Sequence, residues 1–154
     1  METEETQGRY PLGQIRRVLE ELPHFRELGL RIVELERGTC LVQLDHDPRL
    51  IGNPDVGTVH GGAITTLLDS AGGAAAFSVV AEGQTVATLD LRIDYLLPAK
   101  SGAAILGRAE CYRKTRTVAF VRGVAYHDTP DDPIASCTAC FMVGSVGFSV
   151  GGAP

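Results

Sequence analysis

The chain has 154 residues, 44% of them hydrophobic and 21% charged, with a net charge of −5; these values describe one globular domain and exclude wholesale disorder. No run approaches the ~18 unbroken apolar residues of a membrane span, and the acidic start METEETQGRY lacks a secretory pattern, so a cytoplasmic protein with no membrane partner is expected. The negative balance argues against nucleic acid as a partner, because neutralising phosphate needs a basic face.

In chain order, residues 1–10 read as a mobile tail. Over 11–22, Ile15, Val18, Leu19 and Leu22 recur at helical spacing, and Pro23 is expected to stop that helix. The runs 30–36 and 39–46, split by Arg37-Gly38, carry a hairpin signal. Pro, Gly, Asn and Asp mark 47–59 as a loop.

The stretch 61–81 has no Pro, Lys or Arg and reads as a long helix. Ile64, Leu67, Leu68, Ala71, Ala75 and Val79 form one apolar stripe. The opposite side carries Thr65, Asp69, Gly72, Gly73 and Ala76 instead of the usual Lys and Glu. Both sides are therefore expected to be covered. A second backbone, from another subunit, is expected beside Gly72 and Gly73.

Four strand-like runs follow, at 85–97, 103–113, 117–127 and 134–143, joined by turn-like segments. They predict an antiparallel meander. In the first, Ala87, Leu89, Leu91, Ile93 and Tyr95 alternate with Thr88, Asp90, Arg92 and Asp94, which face the other way. One antiparallel sheet of about six strands on a central helix is the simplest α+β solution. Residues 144–154 read as a loose Gly-rich tail.

His60-Gly61-Gly62 opens the long helix, and Asp69 lies two turns further on. A helix N-terminus presents unpaired N–H groups and a partial positive charge. Glycine there lets a carbonyl or an anion approach the backbone, as an oxyanion hole requires. Each piece has a bland alternative, a tight turn for the glycines and a solvated side chain for Asp69. The missing Lys/Glu face brings the functional reading level with the bland one.

Three segments together resemble a known family. They are Gly57-Thr58-Val59-His60-Gly61-Gly62 with Asp69, the run Thr88-Leu89-Asp90-Leu91-Arg92-Ile93-Asp94-Tyr95-Leu96-Leu97-Pro98-Ala99, and Ile134-Ala135-Ser136-Cys137-Thr138-Ala139-Cys140-Phe141. The chain is similar to the hotdog-fold thioesterases, in particular the phenylacetate-pathway-like acyl-CoA thioesterase group. The resemblance spans about residues 28–143, which it marks as a hotdog domain between an N-terminal tail with a short helix (1–27) and the C-terminal tail.

That resemblance implies hydrolysis of an acyl-CoA to a carboxylic acid and free coenzyme A, with no metal and no organic cofactor. Asp69 would be the catalytic carboxylate, acting as nucleophile or as general base for water. The Gly61 N–H would polarise the thioester carbonyl, with His60 and Gly62 beside it in the same motif. Asn53 would sit near the reacting carbonyl or the water, and Thr88 would help position that water. Asn53 stands seven residues before His60, where close family members have six, so the loop through Asp55 carries an extra residue. The family also implies a homodimer with each site shared between subunits, and often a homotetramer.

Arg113, Lys114 and Arg116 cluster at an expected hairpin tip. They are either a solvated turn or a grip on the phosphates of coenzyme A, which a chain of negative charge needs locally; Lys100 and Arg108 are fainter candidates. Two rival functions remain. An enoyl-thioester hydratase of the same fold has a His five residues after its Asp, and position 74 here is Ala. A non-catalytic acyl-CoA-binding dimer would need no carboxylate in its pocket.

Other motifs carry less. Gly147-Phe148-Ser149-Val150-Gly151 matches G-x-S-x-G but has neither a helix nor a later acid and His after it. Cys137 and Cys140, three apart in a strand, point to opposite faces and complete no zinc site. With Cys40 and Cys111 they read as reduced thiols. His127 with Asp128, Asp131 and Asp132 reads as a polar turn, and His24 and His46 have no visible partner.

Overall fold

A computed structural model of the chain describes residues 8–144. Helices α1 (Leu12–Glu21) and α2 (Pro23–Glu27) precede a hairpin of β1 (Leu30–Glu36) and β2 (Thr39–Leu44). A 3₁₀ turn at Pro48–Leu50 leads into the short pair β3 (Ile51–Asn53) and β4 (Thr58–Val59). The long helix α3 (Gly61–Phe77) follows, then β5 (Val86–Tyr95), β6 (Ile105–Lys114), β7 (Val118–Tyr126) and β8 (Ala135–Val143).

Six strands form one sheet in the order β1-β2-β6-β7-β8-β5, every neighbouring pair antiparallel. The sheet wraps α3, which touches all six of its strands. This is the α+β hotdog arrangement that the periodicity and the resemblance predict. The four C-terminal strands depart from a simple meander. Only β6-β7-β8 run consecutively, and β5 pairs with β8 at the far edge. The connection 96–104 does not fold back as a tight turn. Leu96 and Leu97 both donate to the Ile134 carbonyl, and Ala99 accepts from the Val59 amide, so the chain crosses the end of the sheet.

On α3, Ile64, Leu67, Leu68, Ala71 and Ala75 are buried, as the apolar stripe requires. Full burial of Leu67 and Leu68 contributes roughly 2–3 kcal/mol each. The helix ends at Phe77, four residues earlier than its composition suggests. Ser78 is the reason. It is wholly buried; its hydroxyl donates to the Ala75 carbonyl and accepts the Gly38 amide, and Arg37 donates to its own carbonyl. The β1–β2 turn thus caps the helix C-terminus with a cation, where the helix dipole favours one.

The Gly72–Gly73 side is covered by this same chain, which corrects the expectation of a second subunit there. A β-carbon on Gly72 would lie 3.3 Å from the Phe141 ring and 3.4 Å from Val121. Gly73 likewise looks onto Phe141, at 3.6 Å. Side chains of β7 and β8 therefore fill the place assigned to a foreign backbone. The closest approach lies elsewhere. A β-carbon on Gly107 would sit 2.7 Å from Leu67 Cγ, so β6 carries no side chain where α3 crosses it.

The N-terminal segment also belongs to this core. Tyr10 is buried inside the expected tail; its hydroxyl bonds Gln84 and Gly83, and its ring packs 5.4 Å from Phe77. Pro23 stops α1 as expected: Leu22 before it is extended, the conformation a following proline favours, and Pro23 itself opens α2. Ile15 and Phe25 pack into the same cluster as Leu44 and Phe141. The tail 144–154, with its Gly147–Gly151 motif, lies outside the described residues beyond Gly144. Among the described residues no helix is long and apolar enough to cross a membrane.

Replacing Gly107 with Ala should push Leu67 off its position and destabilise the fold by roughly 1–3 kcal/mol, the usual range for overpacking. Urea unfolding should show a lower midpoint at an unchanged slope.

Candidate active site

His60 is the N-cap of α3. Its Nδ1 accepts the Gly62 amide at 2.8 Å, and its own amide donates to the Leu50 carbonyl. The Ala63 amide donates to the His60 carbonyl. Of the first three helical amides, Gly61 alone has no acceptor among the described residues. The cap therefore uses Gly62 and leaves Gly61 N–H available at the positive end of the helix.

Tyr95, which alternation puts in the apolar phase of β5 and which falls within the second family motif, marks this position. Its ring carbons would lie 3.2 Å from a β-carbon on Gly61. Its hydroxyl donates to the Gly61 carbonyl at 2.9 Å and lies 2.8 Å from the Thr65 hydroxyl. A β-carbon here would press on this ring over the first turn. The available signal was a Tyr closing a strand just before Leu96-Leu97-Pro98.

Asp69 is half-buried on α3, and Thr88 on β5 donates to its Oδ1 at 3.0 Å. The clean alternation expected of β5 would turn Thr88 away from Leu91, Ile93 and Tyr95. A bulge between Thr88 and Asp90 resolves this. The extra residue, Leu89, is 52% exposed, and Val86 and Thr88 then share the helix-facing side with Leu91, Ile93 and Tyr95. Bulges commonly re-aim side chains in this way. Burial pushes the Asp69 carboxyl above its ordinary value, opposed by the Thr88 hydrogen bond.

Beside Asp69 and Thr88 opens a cleft of 230 Å³. From α3 it is lined by Ser70, Gly73, Ala74 and Phe77, and opposite by residues of α1, α2, β5 and β8. Its walls are apolar except at the Asp69 end. A desolvated carboxylate at the rim of an apolar cleft is the usual form of a small-molecule site.

The other candidates are dispersed. Asn53 is exposed, its Oδ1 accepts the Asp55 amide, and its carbonyl accepts the Gly57 amide. No described hydrogen bond joins Asn53 to Gly61, Asp69 or Thr88. Arg113 and Lys114 end β6, and Arg116 lies in the turn to β7. The Cys111 amide bonds Gly38, and Thr117 bonds Val143, so this hairpin tip lies at the C-terminal end of α3, away from Gly61. Arg108 is exposed on β6, in register opposite Leu41 and Val124. Cys137 is buried and Cys140 is partly exposed; burial pushes the Cys40 and Cys137 thiols up to about 12 and about 11.

The histidines have partners after all. His127 joins the Lys100 amide and the Ala104 carbonyl, His46 accepts the Gly102 amide, and His24 reaches Thr66.

The raised carboxyl of Asp69 has a consequence for stability. The folded state keeps this proton to higher pH than the unfolded state does, so stability falls as pH rises from the ordinary carboxylate range through the folded value. Asp69→Asn should therefore melt above the parent protein at pH 7, with the difference closing in acid where both side chains are neutral. Thermal unfolding of the two proteins across pH checks this.

The fold and sequence are similar to those of known proteins. The Thioesterase superfamily profile matches residues 56–134, a span that holds Gly61, Asp69, Thr88 and Tyr95. The medium/long-chain acyl-CoA thioesterase YigI of Salmonella typhimurium is 31% identical over 136 residues, covering 80% of this chain and 86% of its own. A Pseudomonas aeruginosa protein of known crystal structure is 44% identical, with a TM-score of 0.76 over 86% of this chain and 98% of its own. A thioesterase family protein from Silicibacter pomeroyi superposes with a TM-score of 0.78 at 30% identity, over 86% and 98%. The phenylacetic acid degradation protein PaaI of Thermus thermophilus, as a variant, gives 0.69 at 26% identity, over 79% and 98%. The chain belongs to the hotdog-fold thioesterase superfamily.

Proposed function

We propose that this protein hydrolyses acyl-CoA thioesters, with Asp69 as the catalytic carboxylate and the Gly61 amide as the oxyanion donor of a site shared by two copies of the chain. The observation that carries this reading is the position of Asp69, half-buried at the rim of an apolar cleft and held by Thr88. A non-catalytic binding protein has no need of that carboxylate, and Ala74 lacks the imidazole that the hydratase alternative requires. YigI, by its name, acts on the same substrate class.

Within one chain the two groups do not meet. Eight residues separate Gly61 from Asp69, roughly 12 Å along a helix axis. The sheet edges suggest how a second copy supplies the missing half. On β1, the Ile32 amide and carbonyl are taken by Glu20 and Arg16 of α1, so that edge is covered. On β5, the outer edge has no partner among the described residues, and Leu89, Tyr95 and Leu96 beside it are about half exposed. A long uncovered edge invites another strand. Antiparallel pairing of two β5 strands about a twofold at Arg92, with Leu89 left out of the register as a bulge, would set Thr88 across from Tyr95 of the second copy. Thr88 holds Asp69 and Tyr95 holds Gly61. One carboxylate would then face the other copy's free amide.

In this arrangement the thioester carbonyl oxygen rests on Gly61 N–H, and the acyl chain enters the cleft. Asp69 removes a proton from water as the oxygen of that water adds to the carbonyl carbon. The developing oxyanion is stabilised by the amide and the helix N-terminus. When the intermediate collapses, the C–S bond breaks, and the carboxyl returns its proton to the departing thiolate. Burial favours this role, because a carboxylate with a raised pKa is a stronger base. Arg113, Lys114 and Arg116, at the C-terminal end of α3, are the proposed grip on the coenzyme A phosphates.

Asp69→Asn should lower kcat by about 10²–10⁴ with KM little changed, read as free thiol released from acyl-CoA; near-normal turnover would sink the assignment. Co-expressing Asp69→Asn with Gly61→Pro tests the shared site. Verified heterodimers should regain one intact site of two, and heterodimers that stay inactive would exclude sharing.

Changing Arg113, Lys114 and Arg116 together to Ala should raise KM for acyl-CoA more than it lowers kcat. The effect should weaken with added salt and be smaller for a pantetheine thioester lacking the nucleotide.

A further inference from the structure

We infer that the two N-terminal helices form the wall that sets the length of acyl chain accepted; this rests on the acyl-CoA hydrolase reading and adds to it the substrate class and the residues that choose it. The cleft beside Asp69 lies between α3 and residues Leu19, Leu22 and Phe25 of the N-terminal segment, with Val86 and Phe141 closing the side toward the sheet. Leu19 and Leu22 are half-buried, and Phe25 is 4% exposed. The wall therefore comes from residues 19–25, outside the span 56–134 that carries the superfamily pattern.

The backbone explains why these side chains face the cleft. Leu22 is extended before Pro23, as a residue preceding proline prefers, so the chain breaks direction between α1 and α2. Leu22 and Phe25 on either side of the break line the same space as Leu19. The segment is tied from behind to β1 through Arg16 and Glu20, and α2 is tied to the 3₁₀ turn through Glu27 and Arg49. No described hydrogen bond anchors Leu19, Leu22 or Phe25 side chains, which are apolar, so the wall's shape is set by their size alone.

Two measures of capacity agree. The cleft follows α3 from Asp69 to Phe77, roughly 12 Å of helix. An extended hydrocarbon advances about 1.25 Å per carbon, given C–C bonds near 1.5 Å, so about ten carbons span it. By volume, an apolar cavity of about 150 Å³ holds a six-carbon ring, and 230 Å³ holds roughly nine carbons in proportion. The cleft carries no polar side chain beyond Ser70 at its Asp69 end and Thr88 at its rim. Its occupant is an unsubstituted medium-length acyl chain, pulled in by burial of methylenes at about fourfold in affinity for each.

The test is a series of straight-chain acyl-CoAs from two to sixteen carbons, with kcat/KM read by thiol release. The parent protein should gain steadily with length and level off near ten carbons. Leu22→Trp should lower the ratio of decanoyl-CoA to butyryl-CoA turnover at least tenfold. The double change Leu19→Ala, Leu22→Ala should move the plateau to longer chains. Should Leu22→Trp fail to fold by circular dichroism, Leu22→Phe carries the same test with less added bulk. Binding of the non-hydrolysable thioether S-decyl-CoA to each protein gives a readout independent of turnover. Ratios unchanged within twofold in folded variants would overturn the wall while leaving acyl-CoA hydrolysis standing. Weaker binding of S-decyl-CoA to the Leu22 variant without turnover by any protein would keep the wall and sink the hydrolase reading.

Discussion

The distance between α3 and its sheet is the constraint on which the site rests. Gly107 leaves a space that Leu67 occupies, and Gly72 lets the Phe141 ring come close to the helix. A helix with larger side chains at these contacts would ride higher over the sheet. Thr88 sits on an edge strand, and its hydroxyl reaches across to Asp69 on the helix at 3.0 Å. The two ends are held as firmly as the middle. His60 caps one end and Ser78 the other, each through side-chain bonds to backbone. Between them they determine which first-turn amide is left open and where the carboxylate stands.

Two features of the single chain run against stability. Asp69 is partly withdrawn from water with one hydrogen bond to compensate its charge. The β5 edge is long and exposes Leu89 and Tyr95, whereas the β1 edge is sealed by α1. Proteins commonly break local rules where they act. Asp69 stands on α3 beside this same strand, whose Thr88 and Tyr95 bond Asp69 and the Gly61 carbonyl. In the proposed assembly the strand with the open edge is thus the one that holds both halves of the site.

The bulge at Leu89 shows how little is needed to make or lose such a region. Without the extra residue, Thr88 would face away from the helix whenever Leu91 and Ile93 face toward it. One inserted residue reverses the phase, and hydroxyl, apolar and phenol side chains come to share a face. The N-terminal helices act on the same region from the other side. Their apolar residues close the cleft over Gly73 and Phe77, so a segment outside the superfamily's matched span shapes the space where specificity is decided.

Much of this could be read from the residue order. The helix opening at His60-Gly61-Gly62, the apolar stripe through Leu67 and Leu68, the six strands and the singular position of Asp69 all follow from periodicity and residue type, which are local properties. What escaped was non-local. No local rule reveals that Ser78 will meet Gly38, and the helix was therefore drawn four residues too long. The bulge leaves no mark in a pattern of apolar and polar residues, because either phase of Thr88 is compatible with the alternation on one side of it. Tyr95 looked like one more apolar residue until the fold set its ring over Gly61. The small residues at Gly72 and Gly73 correctly announced a close contact, but composition cannot say with whom. The contact proved to be the chain's own Phe141, because a wrapped sheet covers more of a helix than a flat one.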